Sequence, residues 1–192
     1  MTLTIVGYGN VGSGLAKQFV KAGHSVTLTG RSLDKAQAVA EAVGAKALPM
    51  AEAAKNVEVV VLAVPYDQAP AALAALGDLK GKVIVDVSNP LTADYMGLTV
   101  GFSTSAAEEI AKAAPTAHVV KAFNTLFAQV MHQGAGFGEF KGSVFFAGDE
   151  PKAKDTVKAL IESIGFDAVD AGGLKNARYL EPVAGLNIYF GY

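Results

Sequence analysis

A cluster of glycines near the start constrains this chain more than any other feature. Residues 3–6 form a short apolar run rich in β-branched side chains. Gly7-Tyr8-Gly9-Asn10-Val11-Gly12 follows at once, and Leu15, Ala16, Phe19 and Val20 then recur at helical spacing. Strand, glycine turn and helix in that order are the context in which G-x-G-x-x-G signals a dinucleotide site. Gly7 allows the tight turn, Gly9 lets the backbone approach a pyrophosphate, and Gly12 lets the helix pack close to the strand. The unpaired N–H groups at the positive end of that helix then face the phosphates. The same spacing also serves a tight strand-to-helix turn that binds nothing.

The rest of the chain repeats the alternation. Apolar or alternating runs predict strands over residues 2–6, 25–29, 46–48, 57–64, 82–86, 118–123, 143–147 and 166–169. Helical periodicity predicts helices over 11–22, 33–43, within 67–76, about 105–114, about 151–164 and about 174–186, with a helical turn at 50–55. Gly23 and Gly44 suit the ends of the first two helices. Ser105 and Glu108 read as a capping box, and Asp149 as the cap of the helix that follows it. The stretch 132–142 holds four glycines and is expected to be a mobile loop. Alternating strands and helices predict an α/β fold with a doubly wound, mostly parallel sheet and right-handed crossovers. Residues 1–192 are expected to form a single Rossmann-like domain, with a small C-terminal helical cap from about 174 to 192.

Composition narrows the function. Hydrophobic residues make up 51% and charged residues 18%, which suits buried parallel strands covered by Ala-rich helices. A net charge of −2 without a basic run gives no reason to expect a nucleic acid or an anionic membrane surface as partner. The absence of Cys excludes disulfides, thiol redox chemistry and Cys-based zinc sites. No apolar stretch approaches the ~20 residues that span a bilayer, and the N-terminus does not read as a signal peptide, so the expected location is the cytoplasm. Residues 186–192 are apolar and aromatic, which suits either a buried subunit interface or a chain that once ran longer.

The end of the second strand addresses which dinucleotide is bound. NAD-specific sheets place an acid there, about 20 positions beyond the glycines, to bond the ribose 2′-OH. Here the sequence is Thr29-Gly30-Arg31-Ser32, with Lys35 one turn on. Two hydroxyls and a guanidinium suit a 2′-phosphate, which a carboxylate would repel, so the expected dinucleotide is NADP(H). Arg31 also reads as a solvated arginine opening the second helix, and Ser32 as a plain N-cap; both roles are compatible with phosphate binding.

In such sheets the ligand lies across the carboxyl ends of the strands. Ala63-Val64-Pro65, Asn89-Pro90 and Asn124 stand at three such ends. Asn89 and Asn124 could bond the carboxamide or ribose of a nicotinamide, or simply cap turns. Of the three histidines, His132 begins the glycine-rich stretch nearest the cleft and is a candidate substrate contact, whereas His24 and His118 read as structural or exposed. No Ser/His/Asp set, paired carboxylates or metal cluster is apparent, and no catalytic residue is assigned. Hydride transfer between two flat rings needs alignment rather than a positioned acid, whereas a carbonyl reductase needs such an acid.

Residues 5–13, Thr29-Gly30-Arg31, Ala63-Val64-Pro65, residues 86–90, residues 121–125 and residues 177–182 occur in the order found in the F420-dependent NADP oxidoreductase family, and the chain resembles that family over essentially its whole length. The resemblance implies an NADP-binding fold in which hydride passes between nicotinamide and a deazaflavin, coenzyme F420. The similar cytosolic domains of ferric reductases use a flavin, which makes FMN or FAD a second possible partner ring. It also implies that Thr29, Arg31 and Ser32 hold the 2′-phosphate and that Val64 and Pro65 line the nicotinamide side. Asn89 and Asn124 would lie near the reacting rings, and the C-terminal region would form a homodimer. Tyr8 departs from the Thr or Ser found in many members and would put a ring beside the pyrophosphate. A non-catalytic NADP(H) sensor and a small imine or β-hydroxy-acid reductase are the competing readings.

Overall fold

A computed structural model describes residues 1–191, together with every side chain among them except that of Phe137. Tyr192, the last residue of the expected cap, lies outside the described residues.

An eight-stranded sheet carries the fold. The chain opens with β1 (Thr2–Val6), α1 (Asn10–Lys21), β2 (Ser25–Thr29), α2 (Leu33–Val43), β3 (Lys46–Ala47) and α3 (Met50–Ala53). It continues through β4 (Val59–Leu62), α4 (Ala69–Leu76), β5 (Val83–Asp86), α5 (Ala106–Ala113) and β6 (His118–Ala122). These six strands are mutually parallel, and β1 lies between β2 and β4. The chain winds outward from β1 to β3, then crosses β1 and winds the other way from β4 to β6. The switch point, where a doubly wound sheet opens a crevice for ligand, therefore lies between β1 and β4.

Central strands are apolar on both faces, as parallel strands covered on both sides must be. Every residue of β4 and β5 is buried. Leu3, Ile5, Val59 and Val61 pack on one face with Leu15 and Phe19 of α1. Val6, Val60 and Leu62 pack on the other with Leu73 of α4 and Ile110 of α5.

The sheet is mostly parallel, as expected, and its one antiparallel pairing among the described residues comes after β6. After β6 come α6 (Ala128–Gln133), a hairpin of β7 (Gly136–Phe137) and β8 (Phe140–Lys141), and then β9 (Ser143–Gly148), which runs antiparallel to β6. A six-residue helix rises only ~9 Å and cannot carry the chain back to the opposite end of the sheet. The next strand therefore starts where β6 stopped. The thirteen-residue α7 (Pro151–Ser163) is long enough for a crossover, and β10 (Asp167–Asp170) pairs parallel with β9. The stretch expected to be a mobile loop is thus the end of a helix and a hairpin. The cap of α7 also differs from expectation. Glu150 accepts the N–H of Lys152 at 3.4 Å, while Asp149 accepts the N–H of Leu174 at 2.8 Å. Asp149 therefore ties the start of the C-terminal segment to the sheet. That segment is a 3-10 turn (Leu174–Asn176) and α8 (Ala177–Gly191), packed across α5.

Candidate functional site

The glycine turn is shaped by what its three glycines lack. Gly7 has φ +111°, and a Cβ on it would lie 2.1 Å from the Ala63 carbonyl oxygen. The turn therefore crosses the end of β4 in backbone contact. A Cβ on Gly12 would lie 1.9 Å from the Gly7 carbonyl oxygen, so α1 starts directly against the turn. Gly9 is the opposite case, because a Cβ there would meet nothing within 4 Å. Gly9 is also the N-cap of α1, and no side chain caps that helix. The first N–H groups, from Asn10 onward, are left for a ligand, beside open space at Gly9. This arrangement fits a pyrophosphate.

The second strand end carries the cations. Arg31 and Lys35 are exposed, and neither side chain has a hydrogen bond or ion pair among the described residues. Ser32 caps α2 by accepting the N–H of Lys35 at 3.4 Å. Thr29 differs from expectation: it is fully buried and its hydroxyl donates to the Leu48 carbonyl at 2.7 Å, which brackets β3 and leaves no hydroxyl proton for a phosphate. Tyr8 reaches across to this end, where a Cβ on Gly30 would lie 2.6 Å from the Tyr8 ring. Gly30 is therefore the floor on which that ring rests.

Ala63 and Val64 are half-buried at the end of β4, and Pro65 is exposed. Beyond them the cleft deepens into a cavity of about 830 Å³. It begins at Val11 in the first turn of α1, passes Val87 and Asn89 beyond β5 and Asn124 beyond β6, and is closed by Ala184 and Ile188 of α8. Pro90 is buried, and its carbonyl accepts the N–H of Thr99 at 2.7 Å, which shapes the loop at the cavity mouth. Asp94 stands in that loop, held below the usual carboxylate range by the Thr92 hydroxyl and the Met96 N–H.

Asn89 and Asn124 are brought together. The Asn124 amide donates to Asn89 Oδ1 at 2.9 Å and to the Leu180 carbonyl at 3.0 Å, and the Asn89 amide donates to the Asn124 carbonyl at 2.9 Å. Phe123, at φ +64°, turns the chain so that this pairing forms. A bulky residue in that region carries strain on the order of 1–3 kcal/mol, a pattern concentrated at functional sites. Asn124 Oδ1 is buried without a partner among the described residues. The wall behind the cavity thus encloses one unsatisfied acceptor.

Three charges that sequence reasoning left without a role hold this wall. Lys121 is fully buried, and its Nζ lies 2.8 Å from Asp86 Oδ2, 2.8 Å from Glu181 Oε1 and 2.6 Å from the Ser88 carbonyl. Asp86 also accepts the Ser88 N–H and hydroxyl, and Glu181 accepts the N–H groups of Ala106 and Ala107 at the start of α5. The triad joins β5, β6, α5 and α8, with Asp86 three residues before Asn89 and Lys121 three before Asn124. Its trace in the sequence is a Lys, an Asp and a Glu within otherwise buried stretches. Burial first, then the negative charge of Glu109, Glu181 and Asp86, pushes the Tyr66 phenol above its ordinary range and keeps it neutral.

His132, the candidate substrate contact, does not line the cavity. Its Nε2 lies 2.9 Å from the Asn10 carbonyl and braces α6 against the first turn of α1. Since a carbonyl only accepts, that nitrogen carries the proton.

A glycine turn at a sheet switch point, unpaired cations at the second strand end and a cavity beyond define a dinucleotide-binding α/β protein with room for a second molecule. Residues 2–90 match the family described as NADP oxidoreductase, coenzyme F420-dependent. The chain is 32% identical over 199 residues to the F420-dependent NADP reductase of Methanothermobacter marburgensis, covering 95% of this chain and 88% of that protein. It is 32% identical over 180 residues to Metalloreductase STEAP3 of Rattus norvegicus, covering 93% of this chain but only 35% of that longer protein. A solved structure from Arthrobacter sp. FB24, described as a candidate F420-dependent NADP-reductase, superposes with a TM-score of 0.86 at 29% identity, covering 98% of this chain and 91% of that one. The chain belongs to the F420-dependent NADP oxidoreductase family.

Proposed function

We propose that this chain, working as one NADP-binding unit, is an NADP(H)-dependent oxidoreductase that passes hydride between nicotinamide and coenzyme F420, with a flavin as the alternative acceptor ring. The observation that carries the reading is the open face at Gly9 with two unpaired cations, Arg31 and Lys35, at the second strand end, leading into a cavity of about 830 Å³ with room for a second ring. The names of the relatives support the acceptor: F420-dependent reductases match over nearly their whole length, and the metalloreductase over 35% of its own.

In this reading the α1 N–H groups and Gly9 receive the pyrophosphate, and Arg31, Lys35 and Ser32 receive the 2′-phosphate. Tyr8 and Gly30 form the floor between those two sites. Ala63, Val64 and Pro65 run beside the nicotinamide half, and the locked Asn89–Asn124 pair stands near the reacting rings. NADPH supplies the hydride, two electrons with one hydrogen nucleus, and solvent supplies the proton that completes reduction of the acceptor. The residues of the site bind, align and exclude water, which is what direct transfer between two rings requires.

Two further features belong to this reading. Tyr179, Val183, Leu186 and Phe190 recur on α8 at four-, three- and four-residue intervals and are exposed, Tyr179 at 71% and Phe190 at 76%. An apolar stripe at that spacing suits a second copy of the same helix across a two-fold axis, so we take the working form to be a homodimer. No helix among the described residues is long and apolar enough to cross a membrane, and we place the chain in the cytoplasm.

The test is anaerobic mixing of the protein with NADPH and F420, followed by absorbance, alongside equilibrium binding of NADPH and NADH. Tight NADPH binding with no hydride transfer to F420, FMN or FAD would leave only a nucleotide sensor.

A further inference from the structure

We propose that Lys121, Asp86 and Glu181 are positioning residues for hydride transfer, which from behind the cavity wall set the Asn89–Asn124 pair and the cavity face of α8 in one fixed relation. The proposal rests on the hydride-transfer reading above. None of the three lines the cavity, and each is at most 1% exposed. An ammonium has three donors and no acceptor. Lys121 matches them with three oxygens within 2.8 Å: Asp86 in β5, the Ser88 carbonyl just beyond that strand, and Glu181 in α8. No donor is left for a ligand or for proton transfer. What the ammonium fixes is the relative place of the segments that carry those oxygens.

These segments run directly into the asparagine pair. Ser88, whose N–H and hydroxyl are bound by Asp86 and whose carbonyl is bound by Lys121, is joined to Asn89. Leu180, whose carbonyl accepts the Asn124 amide at 3.0 Å, is joined to Glu181. Glu181, Ala184 and Ile188 recur at three- and four-residue intervals on one face of α8, so the carboxylate that meets Lys121 also sets which face of the helix closes the cavity. Well-packed apolar side chains of similar volume often stabilise as much as a buried ionic cluster does. What the ionic cluster adds is directional bonds, and here those bonds end on the chain neighbours of Asn89 and of the Asn124 acceptor.

The test separates position from stability. A variant carrying Lys121→Met, Asp86→Asn and Glu181→Gln together removes the charges of the triad, and is compared with the parent protein well below the melting temperature of both. Single-turnover transfer from NADPH to F420 is expected to slow at least about tenfold, while the NADPH dissociation constant changes by less than about twofold. Arg178→Met, which loosens α8 from α5 at the surface, is expected to leave the rate unchanged. In parallel, the side-chain amide protons of Asn89 and Asn124 are followed by NMR, and are expected to exchange with water at least about tenfold faster in the triple variant. A folded triple variant that transfers hydride at the parent rate would overturn the proposal, and so would unchanged amide exchange. Should the triple variant not fold, Glu181→Gln alone is measured in the same two ways and decides by the same criteria. Absence of transfer by the parent protein to F420, FMN or FAD sinks the hydride-transfer reading, and amide exchange then decides by itself whether the triad positions the asparagines.

Discussion

The two ends of the cleft are held in shape by opposite means. At the glycine turn, geometry comes from side chains that are missing: the Gly7 and Gly12 backbones sit where no Cβ fits, and no buried charge is involved. At the cavity end, geometry comes from side chains that are present: a fully buried Lys121 between Asp86 and Glu181, and two asparagines locked to each other. Backbone packing tolerates no addition, whereas a buried ionic network tolerates no subtraction. The first end presents cations to solvent; the second encloses its cation and leaves no Lys, Arg or His among the described residues that line the cavity.

The sharpest way to break this contrast is Lys121→Met. Removing one partner leaves two buried carboxylates facing each other, and the expected loss is about 3–5 kcal/mol of unfolding free energy, read from urea melts. Adding Asp86→Asn and Glu181→Gln to that variant should recover much of the loss; a mild effect of Lys121→Met alone would mean that the triad is not what holds the wall.

Gly12→Ala makes the complementary test at the turn. One methyl group forced against the Gly7 carbonyl should lower stability by about 1–3 kcal/mol. Gly9→Ala should leave stability nearly unchanged and weaken NADPH binding instead. Equal stability losses in the two variants would show that the open face at Gly9 has no special role.

Arg31→Ala is expected to weaken NADPH binding by about tenfold to a hundredfold, the scale of a hydrogen bond to a charged group, while NADH binding barely changes. Matching losses for both nucleotides in a direct titration would remove the 2′-phosphate from this position.

The smallest effect concerns the exposed edge of the cap. Arg178, then the Ser105 hydroxyl, holds the Glu108 carboxyl below its ordinary range, with Arg178 bonded to both of its oxygens at 2.7 and 2.8 Å. A depressed carboxylate pKa gives stability that is present above the unfolded-state value of about 4.3 and is lost as pH falls through the folded-state value. Because the pair lies at the surface and is only partly covered, its contribution is small. Arg178→Met should therefore cost little at pH 7, with the difference from the parent protein fading in acid; a difference that grows in acid would contradict this assignment.

Local signals made the first half of the chain legible. The β-branched runs of β1, β4 and β5 gave strands that are buried on both faces, and Ser32 and Gly44 end α2 as their chemistry suggests. The candidate nucleotide contacts could be named for the same reason, since a glycine turn and the residues around Arg31 are contiguous stretches. The cavity end was not legible, because its contacts join distant positions. Glu181 meets Lys121 across sixty residues, and the C-terminal carbonyls of α6 are taken by Gln18 from α1. A six-residue helix capped from another helix carries no local signature, so α6 and the antiparallel return of β9 were hidden. Asn89 and Asn124 were read separately from their strand ends; only the fold reveals them as one unit.

The contact between Tyr8 and Gly30 places an order on how this site could change. Position 30 stands where an acid would favour the other nucleotide, yet a Cβ there would meet the Tyr8 ring at 2.6 Å. A side chain at 30 requires the ring at 8 to move aside or shrink, whereas shrinking the ring first meets no such barrier. Cofactor preference in this lineage is therefore a lock with two tumblers that turn in one order, and Gly30→Asp should be accepted after Tyr8→Ser but rejected before it.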